Sequence, residues 1–325
     1  MEIGYKLSSE EFGPRDLVAQ ARRAEAAGFS FALISDHFHP WTDRQGQSPF
    51  VWSVLGGIAQ VTERLVVGTG VTCPTVRIHP AIVAQAAATA AAAMPGRFFL
   101  GLGTGENLNE HVVAARWPSV DVRREMLEEA IEVIRRLWQG GYADHRGRHY
   151  TVENARLYTL PEAPPPIMIA AAGTKAAALA GRLGDGLVCS SPDPEVVAEF
   201  RRAGGGDRPR YVELTVCWAA SEAAARRTAY EIWPIAGMGG PMTAELPLPA
   251  HFEAAARMLR EEDVAGAVVC GPDAGRHVDA VREHAEAGYD HVCVHQIGPD
   301  QEGFFRFYER EVLPALGDVT RRRAA

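Results

Sequence analysis

Phe31-Ala32-Leu33-Ile34-Ser35-Asp36-His37-Phe38-His39-Pro40-Trp41 is the stretch that decides how this chain reads. Its first four residues are an apolar run of the length of a buried strand. An acidic residue, an imidazole and an indole then crowd the point where that strand ends. In a barrel of parallel strands the chemistry sits at the carboxyl ends of the strands. Asp36 and His37 are better placed for function there than on a helix face. Taken alone, the pair also fits a structural role, with His37 closing a strand and Trp41 covering an apolar edge. The surrounding chain decides between the two.

Short apolar runs alternate with helical patterns from end to end. Strands are expected at 3–7, 31–34, 65–71, 97–103, 167–170, 187–189, 211–218 and 291–295. Pro14 opens the first helix, Asp16 adds a favourable charge to its first turn, and Gly28 ends it. Leu17, Ala21 and Ala24 give that helix its buried stripe. Further helices are expected at 53–62, 80–94, 121–138, 175–183, 194–203 and 302–316. Met126, Leu127, Ile131, Ile134 and Leu137 line one side of the longest. Eight strands alternating with helices give an α/β fold, a (β/α)8 TIM barrel, with a doubly wound open sheet as the alternative. One domain spans 1–325, with two excursions. Near 140–160 a turn at Asp144 to Tyr150 suggests an antiparallel pair. Near 230–250 Gly237, Gly239, Gly240, Pro241, Pro247 and Pro249 suggest a lid over the barrel mouth or a disordered loop. Arg321-Arg322-Arg323 is expected to be a frayed tail.

A formal charge of −8 argues against nucleic acid as the main partner. Lys6 and Lys175 are the only lysines. Cys73, Cys189, Cys217, Cys270 and Cys293 show no CxxC spacing, and four of them lie in apolar runs, so buried free thiols are expected. No set of His, Cys and acidic residues has metal-ligand spacing. No leader is read ahead of the first strand, and Ala81 to Met94 is too short to span a bilayer. A cytoplasmic protein with no membrane partner is expected. His145, His149 and His284 read as solvated surface; Trp138 and Phe304 read as core.

The fourth strand ends in Gly103-Thr104-Gly105-Glu106-Asn107-Leu108-Asn109-Glu110. Glycines around Thr104 let backbone approach a ligand. Glu106 stands at a strand end, as His37 does, and the two can converge across a barrel mouth for acid–base work. Glu106 and Asn109 could equally cap the following turn. The GxGxxG-like look of 101–105 is no Rossmann signal, because no helix is expected directly after it. Ala170-Ala171-Ala172-Gly173-Thr174 would let a helix amino terminus meet a phosphate, or merely pack tightly. Gly68 to Thr75 is another polar strand end with open backbone.

Four motifs together resemble one family. Gly4-Tyr5-Lys6, Ser35-Asp36-His37-Phe38 with Pro40-Trp41, Gly103-Thr104-Gly105-Glu106 with Asn109, and Gly184-Asp185-Gly186 are similar to those of the coenzyme-F420-dependent glucose-6-phosphate dehydrogenases, in the bacterial-luciferase-like superfamily of barrels. The resemblance implies a deazaflavin, coenzyme F420, at the barrel mouth. It implies that Asp36 and Asn109 contact the cofactor, that His37 and Glu106 are the acid and base, and that Trp41 covers the reacting ring. Thr104 and Gly105, with Ala172 and Gly173, would line its phosphate and ribityl side. A cis peptide would fall at Gly70-Val71, and Cys73 stands where the family typically has Thr. A homodimer acting on a small-molecule substrate is also implied.

The resemblance has a gap. That family grips a substrate phosphate with two lysines and an arginine from later loops. Here the loop after the sixth strand reads Ser190-Ser191-Pro192-Asp193, with Asp where a lysine is expected. Ser190 is left as its candidate substrate contact. No lysine follows Lys175, and the arginine's approximate place, near Ala265-Gly266, is empty. An Asp facing a phosphate dianion is repulsive. Arg208 or Arg260 could stand in. An alcohol, or a sugar phosphate gripped differently, is therefore the expected substrate, oxidised by hydride transfer to F420. An FMN-dependent monooxygenase of the same superfamily and an F420-binding carrier without turnover are the alternatives.

Overall fold

Every apolar run read as a barrel strand becomes one. In the computed structural model, which describes residues 1–240 and 242–317, the chain opens with β1 (Glu2–Leu7), α1 (Pro14–Ala27), β2 (Phe31–Ile34), α2 (Val51–Val61), β3 (Val66–Thr69), α3 (Pro80–Ala93) and β4 (Phe98–Leu102). There follow α4 (Asn107–Glu110), α5 (Val120–Trp138), the hairpin β5 (Ala143–Arg146) and β6 (Thr151–Ala155), then β7 (Ile167–Ala170), α6 (Thr174–Leu183), β8 (Gly186–Cys189), α7 (Pro194–Phe200) and β9 (Arg210–Cys217). The last third holds α8 (Glu222–Ile232), α9 (Met242–Glu245), α10 (Pro249–Ala256), α11 (Glu261–Ala265), β10 (Val269–Cys270), α12 (Ala274–Glu286), β11 (His291–Gln296) and α13 (Gln301–Phe307).

β1, β2, β3, β4, β7, β8, β9 and β11 pair in parallel, and β11 returns to β1, so the sheet closes. The open-sheet alternative is thereby excluded. β8 pairs with the start of β9, and the two-residue β10, too short to read in the sequence, continues that edge at Val216 and Cys217. Register sets the rim. Leu7, Ile34 and Thr69 are level neighbours on β1, β2 and β3, so Ser8, Ser35 and Gly70 leave the barrel at one height. Alternation along each strand sends Phe31 and Leu33 inward, with Phe99, Met168, Val188, Tyr211 and Cys293. Ala32 and Ile34 face the helix layer instead. Gly68 is required by that interior, since a Cβ there would sit 2.1 Å from the Phe99 ring.

Helix ends fall within two residues of expectation except where the ladder changes. α7 stops at Phe200 and runs into a π turn at 201–205. α13 likewise meets a π turn at 308–312, so the closing helix is not uniform. Trp138 and Phe304 are core, and all five cysteines are buried and free. The three histidines read as surface are not. His145 is buried against Glu129, His149 lies half-buried 3.5 Å from Glu125, and His284 is buried with Nδ1 on the Ala280 carbonyl. Their α5 and α12 settings were hidden because the partners lie on other turns or elements. The 140–160 excursion is the hairpin. The 230–250 excursion forms a 3-10 turn, α9 and the start of α10, with Pro241 outside the described residues. The arginine tail also lies outside them. No described helix is long and apolar enough to cross a membrane.

Candidate active site

The β2 loop brings His37 to the mouth with its ring 10% exposed. Nδ1 lies 3.1 Å from the His39 carbonyl, an acceptor, so Nδ1 carries a hydrogen and Nε2 is the nitrogen left to exchange a proton. Nε2 stands 3.5 Å from Glu10 Oε1 and 4.0 Å from Glu106 Oε2. His37 and Glu106 thus come within 4.0 Å of each other from two strand ends. Glu10 was missed, although the rule that found the others points to it: it follows the end of β1. Its carboxylate is 3% exposed and accepts from the Ser8 and Ser35 hydroxyls. Burial alone would raise the Glu10 carboxyl. Charge on His37 and Lys6, with the hydrogen bonds, outweighs it and holds the group below the usual range.

Trp41 packs edge-on to His37, with ring centroids 5.1 Å apart, and its other flank meets Phe252 of α10 at 5.2 Å. The Trp41 backbone N–H donates to Gln45 Oε1, and the Gln45 amide donates to the Ile232 carbonyl, so the main chain at Trp41 is tied to the end of α8.

Asp36 and Asn109 are engaged within the protein. Asp36 Oδ2 accepts from the Thr72 hydroxyl at 2.7 Å, and Oδ1 pairs with Arg77 at 2.8 Å. Arg77 also faces Glu110, which takes the Arg77 backbone N–H at 2.6 Å. Burial and the neighbouring Glu106 and Asp36 raise the Glu110 carboxyl despite Arg77. Asn109 Oδ1 accepts from the Phe38 and His39 backbone N–H groups, and its amide donates to Glu106 Oε2 at 3.1 Å. One buried amide therefore sets the His37 loop and the Glu106 carboxylate together. These links cross three strand-end loops, and no local pattern announces them.

Past β3, the Gly70-Val71 peptide is cis, where the resemblance placed one. Cys73 is buried with Sγ 2.9 Å from the Thr75 hydroxyl, and burial raises its thiol well above the usual range. Gly105 has φ 75°, and a Cβ there would strike Cys73 Sγ at 2.5 Å, so the turn beside the half-buried Thr104 needs glycine. A four-residue helix, α4, does follow this glycine run, contrary to expectation, but it is a single turn and not a Rossmann helix. At the β7 end Ala172 is exposed, and a Cβ on Gly173 would enter open space. Gly173 leaves the amino terminus of the ten-residue α6 without a side-chain cap. Bare backbone and free helix N–H groups suit a phosphate-bearing cofactor.

Of the positions weighed for a substrate phosphate, neither described arginine is free. Ser190 is exposed, and the Asp193 carboxylate caps α7. Arg208 is spent on the carbonyls of Gly181, Gly184, Gly204 and Gly205, and Arg260 on Asp263.

Residues 1–291 match the luciferase-like monooxygenase family. The chain belongs to this luciferase-like family. Within it, the chain is 36% identical to the F420-dependent glucose-6-phosphate dehydrogenase of Intrasporangium calvum, over 97% of this chain and 99% of that protein. It is 35% identical to the enzyme of the same name from Mycolicibacterium smegmatis, over 97% and 98%. Its fold superposes on an F420-dependent secondary alcohol dehydrogenase, solved with an F420–acetone adduct, with a TM-score of 0.89 and 31% identity over 97% of this chain and 98% of that one. An F420-dependent tetrahydromethanopterin reductase from Methanopyrus kandleri shares the luciferase-like barrel at a TM-score of 0.78 and 21% identity, covering 97% of this chain and all of that one.

Proposed function

We propose that this member of the luciferase-like family is an F420-dependent dehydrogenase that oxidises a small alcohol lacking a phosphate, with His37 and Glu106 as its acid–base pair. The observation that carries the reading is His37 Nε2 facing two carboxylates in the mouth. Curated relatives at 35–36% identity and the alcohol dehydrogenase neighbour support the cofactor and the hydroxyl donor.

Gly70, Val71, Thr104, Gly105, Ala172 and Gly173 would hold the cofactor, with the α6 amino terminus toward its phosphate. Bound F420 supplies a carbon that accepts a hydride. Everything else falls to the side chains. His37 Nε2 takes the hydroxyl proton as the C–H bond is spent, and Glu10 offsets the positive imidazole that results. Glu106, whose side chain is 36% exposed, exchanges a proton with solvent. Trp41 and Phe252 wall the site with apolar surface. An acid–base pair is what alcohol oxidation needs, which favours a dehydrogenase over the FMN-dependent monooxygenase and over a carrier without turnover.

The test is F420 titration by fluorescence, followed by turnover read from the oxidised cofactor's absorbance. Secondary alcohols should be oxidised and glucose 6-phosphate should react poorly. Efficient use of the sugar phosphate, or a tightly held FMN in place of F420 binding, overturns the reading. We also propose a homodimer, as the family resemblance implies; light scattering reading one chain per particle would refute it.

A further inference from the structure

Lys6 lies inside the barrel, 9% exposed, on β1. Barrel interiors are ordinarily packed with branched apolar side chains. Here four ionisable groups stand in series. Lys6 Nζ is 3.0 Å from Glu213 Oε2 on β9, Glu213 Oε1 is 3.3 Å from His295 Nδ1 on β11, and His295 Nε2 is 3.3 Å from Glu11 Oε1. Glu11 Oε2 ends the series on the Gly298 N–H. Trp233 closes over His295 with ring centroids 4.4 Å apart. Desolvating such groups costs several kcal/mol per ion, and apolar packing of equal volume is commonly as stable or more so. Stability alone does not account for the series.

Its other end points at the mouth. The Lys6 ammonium donates to the Gly70 carbonyl at 3.0 Å. Gly70 begins the segment that leaves β3, crosses to β4 through the Thr72–Leu102 bridge, and carries Cys73 and Thr75. Its N–H is held by the Ile34 carbonyl at 2.7 Å, so Lys6 fixes the second polar group of the same residue. Glu213 is one anion between two cations, because Glu11 and Glu213 on either side raise His295 to about 9 even though burial opposes it. With Glu11 the four charges sum to zero, and the ammonium of Lys6 is the end of the series nearest Gly70.

We propose that Lys6 is a positioning residue of the cofactor site, fixing the Gly70 carbonyl and turning the positive end of a neutral charge series toward the mouth, where it favours the hydride-loaded cofactor. The proposal rests on the F420 reading above. A ring that receives a hydride gains one negative charge unless a proton follows, and a nearby ammonium lowers the cost of that charge.

The chain's two lysines make the test direct. Lys175 is 78% exposed beside Asp121, and Lys175→Arg keeps its charge at the α6 amino terminus, so that protein labelled with 15N at lysine Nζ retains one lysine ammonium, that of Lys6. Its resonance should move as oxidised F420 is added, in step with the cofactor's fluorescence, and move again when the bound cofactor is reduced. A resonance that stays still while F420 binds overturns the proposal. If F420 does not bind at all, it is the reading of the site that fails. In a second arm, Lys6→Met with Glu213→Gln removes the pair nearest the mouth and leaves His295 with Glu11. The preference for reduced over oxidised F420, taken from the two dissociation constants, should fall about tenfold, a potential about 30 mV more negative for a two-electron couple. A folded double variant with the wild-type preference refutes the proposal; if it does not fold, the labelled single-lysine protein decides.

Discussion

Glu10 Oε1 lies nearer to His37 Nε2, at 3.5 Å, than does Glu106 Oε2, at 4.0 Å. A protonated imidazole formed during turnover therefore meets two anions, the closer one buried. Glu10→Gln keeps the side chain's shape and removes its charge. It should lower kcat roughly a hundredfold, the low end of the acid–base range, with F420 affinity little changed. Equal loss of cofactor binding would place Glu10 in the cofactor contact instead. Because the Glu10 carboxyl is depressed in the fold, its stabilising contribution is complete above the ordinary glutamate value near 4.5 and disappears as pH falls through the lower folded value. Acid unfolding of Glu10→Gln should therefore be shallower than that of wild type.

Asn109 separates geometry from charge. Asn109→Ala frees the Phe38 and His39 N–H groups and the Glu106 carboxylate at once, and should cost about 1–3 kcal/mol by urea unfolding together with most activity. Asn109→Asp can still accept from both N–H groups but sets an anion against Glu106. It should retain more stability than Asn109→Ala while losing activity. If both variants turn over like wild type, the amide does not organise the pair.

The strands and helices were legible because each strand is a compact apolar run with a helix pattern after it, whereas closure rests on the β8–β9 and β11–β1 pairings, which no local run displays. His37 and Glu106 were legible for the same reason: strand ends are places the pattern marks. Glu10 stands at such an end too but lacks an aromatic or glycine neighbour to draw attention. Arg77 with Asp36 and Glu110, and Lys6 with Glu213 and His295, join residues from separate strands or strand-end loops, so nothing within one window connects them. Asp36 and Asn109 show the converse. Their position at two strand ends was readable, but the partners holding their side chains were not.

His295 predicts a pH effect of opposite sign to Glu10. Its folded value, about 9, is raised above the ordinary 6.5 by Glu11 and Glu213 against the opposing effect of burial. A raised group stabilises fully below its unfolded value, and that contribution is lost as pH rises through the folded one. Thermal unfolding should therefore show Tm falling between about pH 6.5 and 9. His295→Gln should flatten that part of the profile while lowering Tm at pH 6. An unchanged slope in the variant would assign the loss to another group.

Glu245 tests whether the late excursion gates the mouth. From α9 it pairs with Arg123 at 3.0 Å, and its carbonyl takes the Asn107 amide at 3.0 Å, directly after Glu106. Arg123 is 2% exposed and stacked 4.2 Å over Trp117, so it is held whether or not Glu245 is present. Glu245 is half-exposed and belongs to a single-turn helix with little of its own to keep it in place. Glu245→Ala should loosen the excursion while the barrel stays intact: Tm should change by less than about 1 kcal/mol equivalent of stability, and cleavage within 238–248 by a nonspecific protease should quicken several-fold. KM for the alcohol should rise with kcat nearly kept, because the tether touches access and not His37. If proteolysis and KM both match wild type, the ion pair does not hold the excursion over the site.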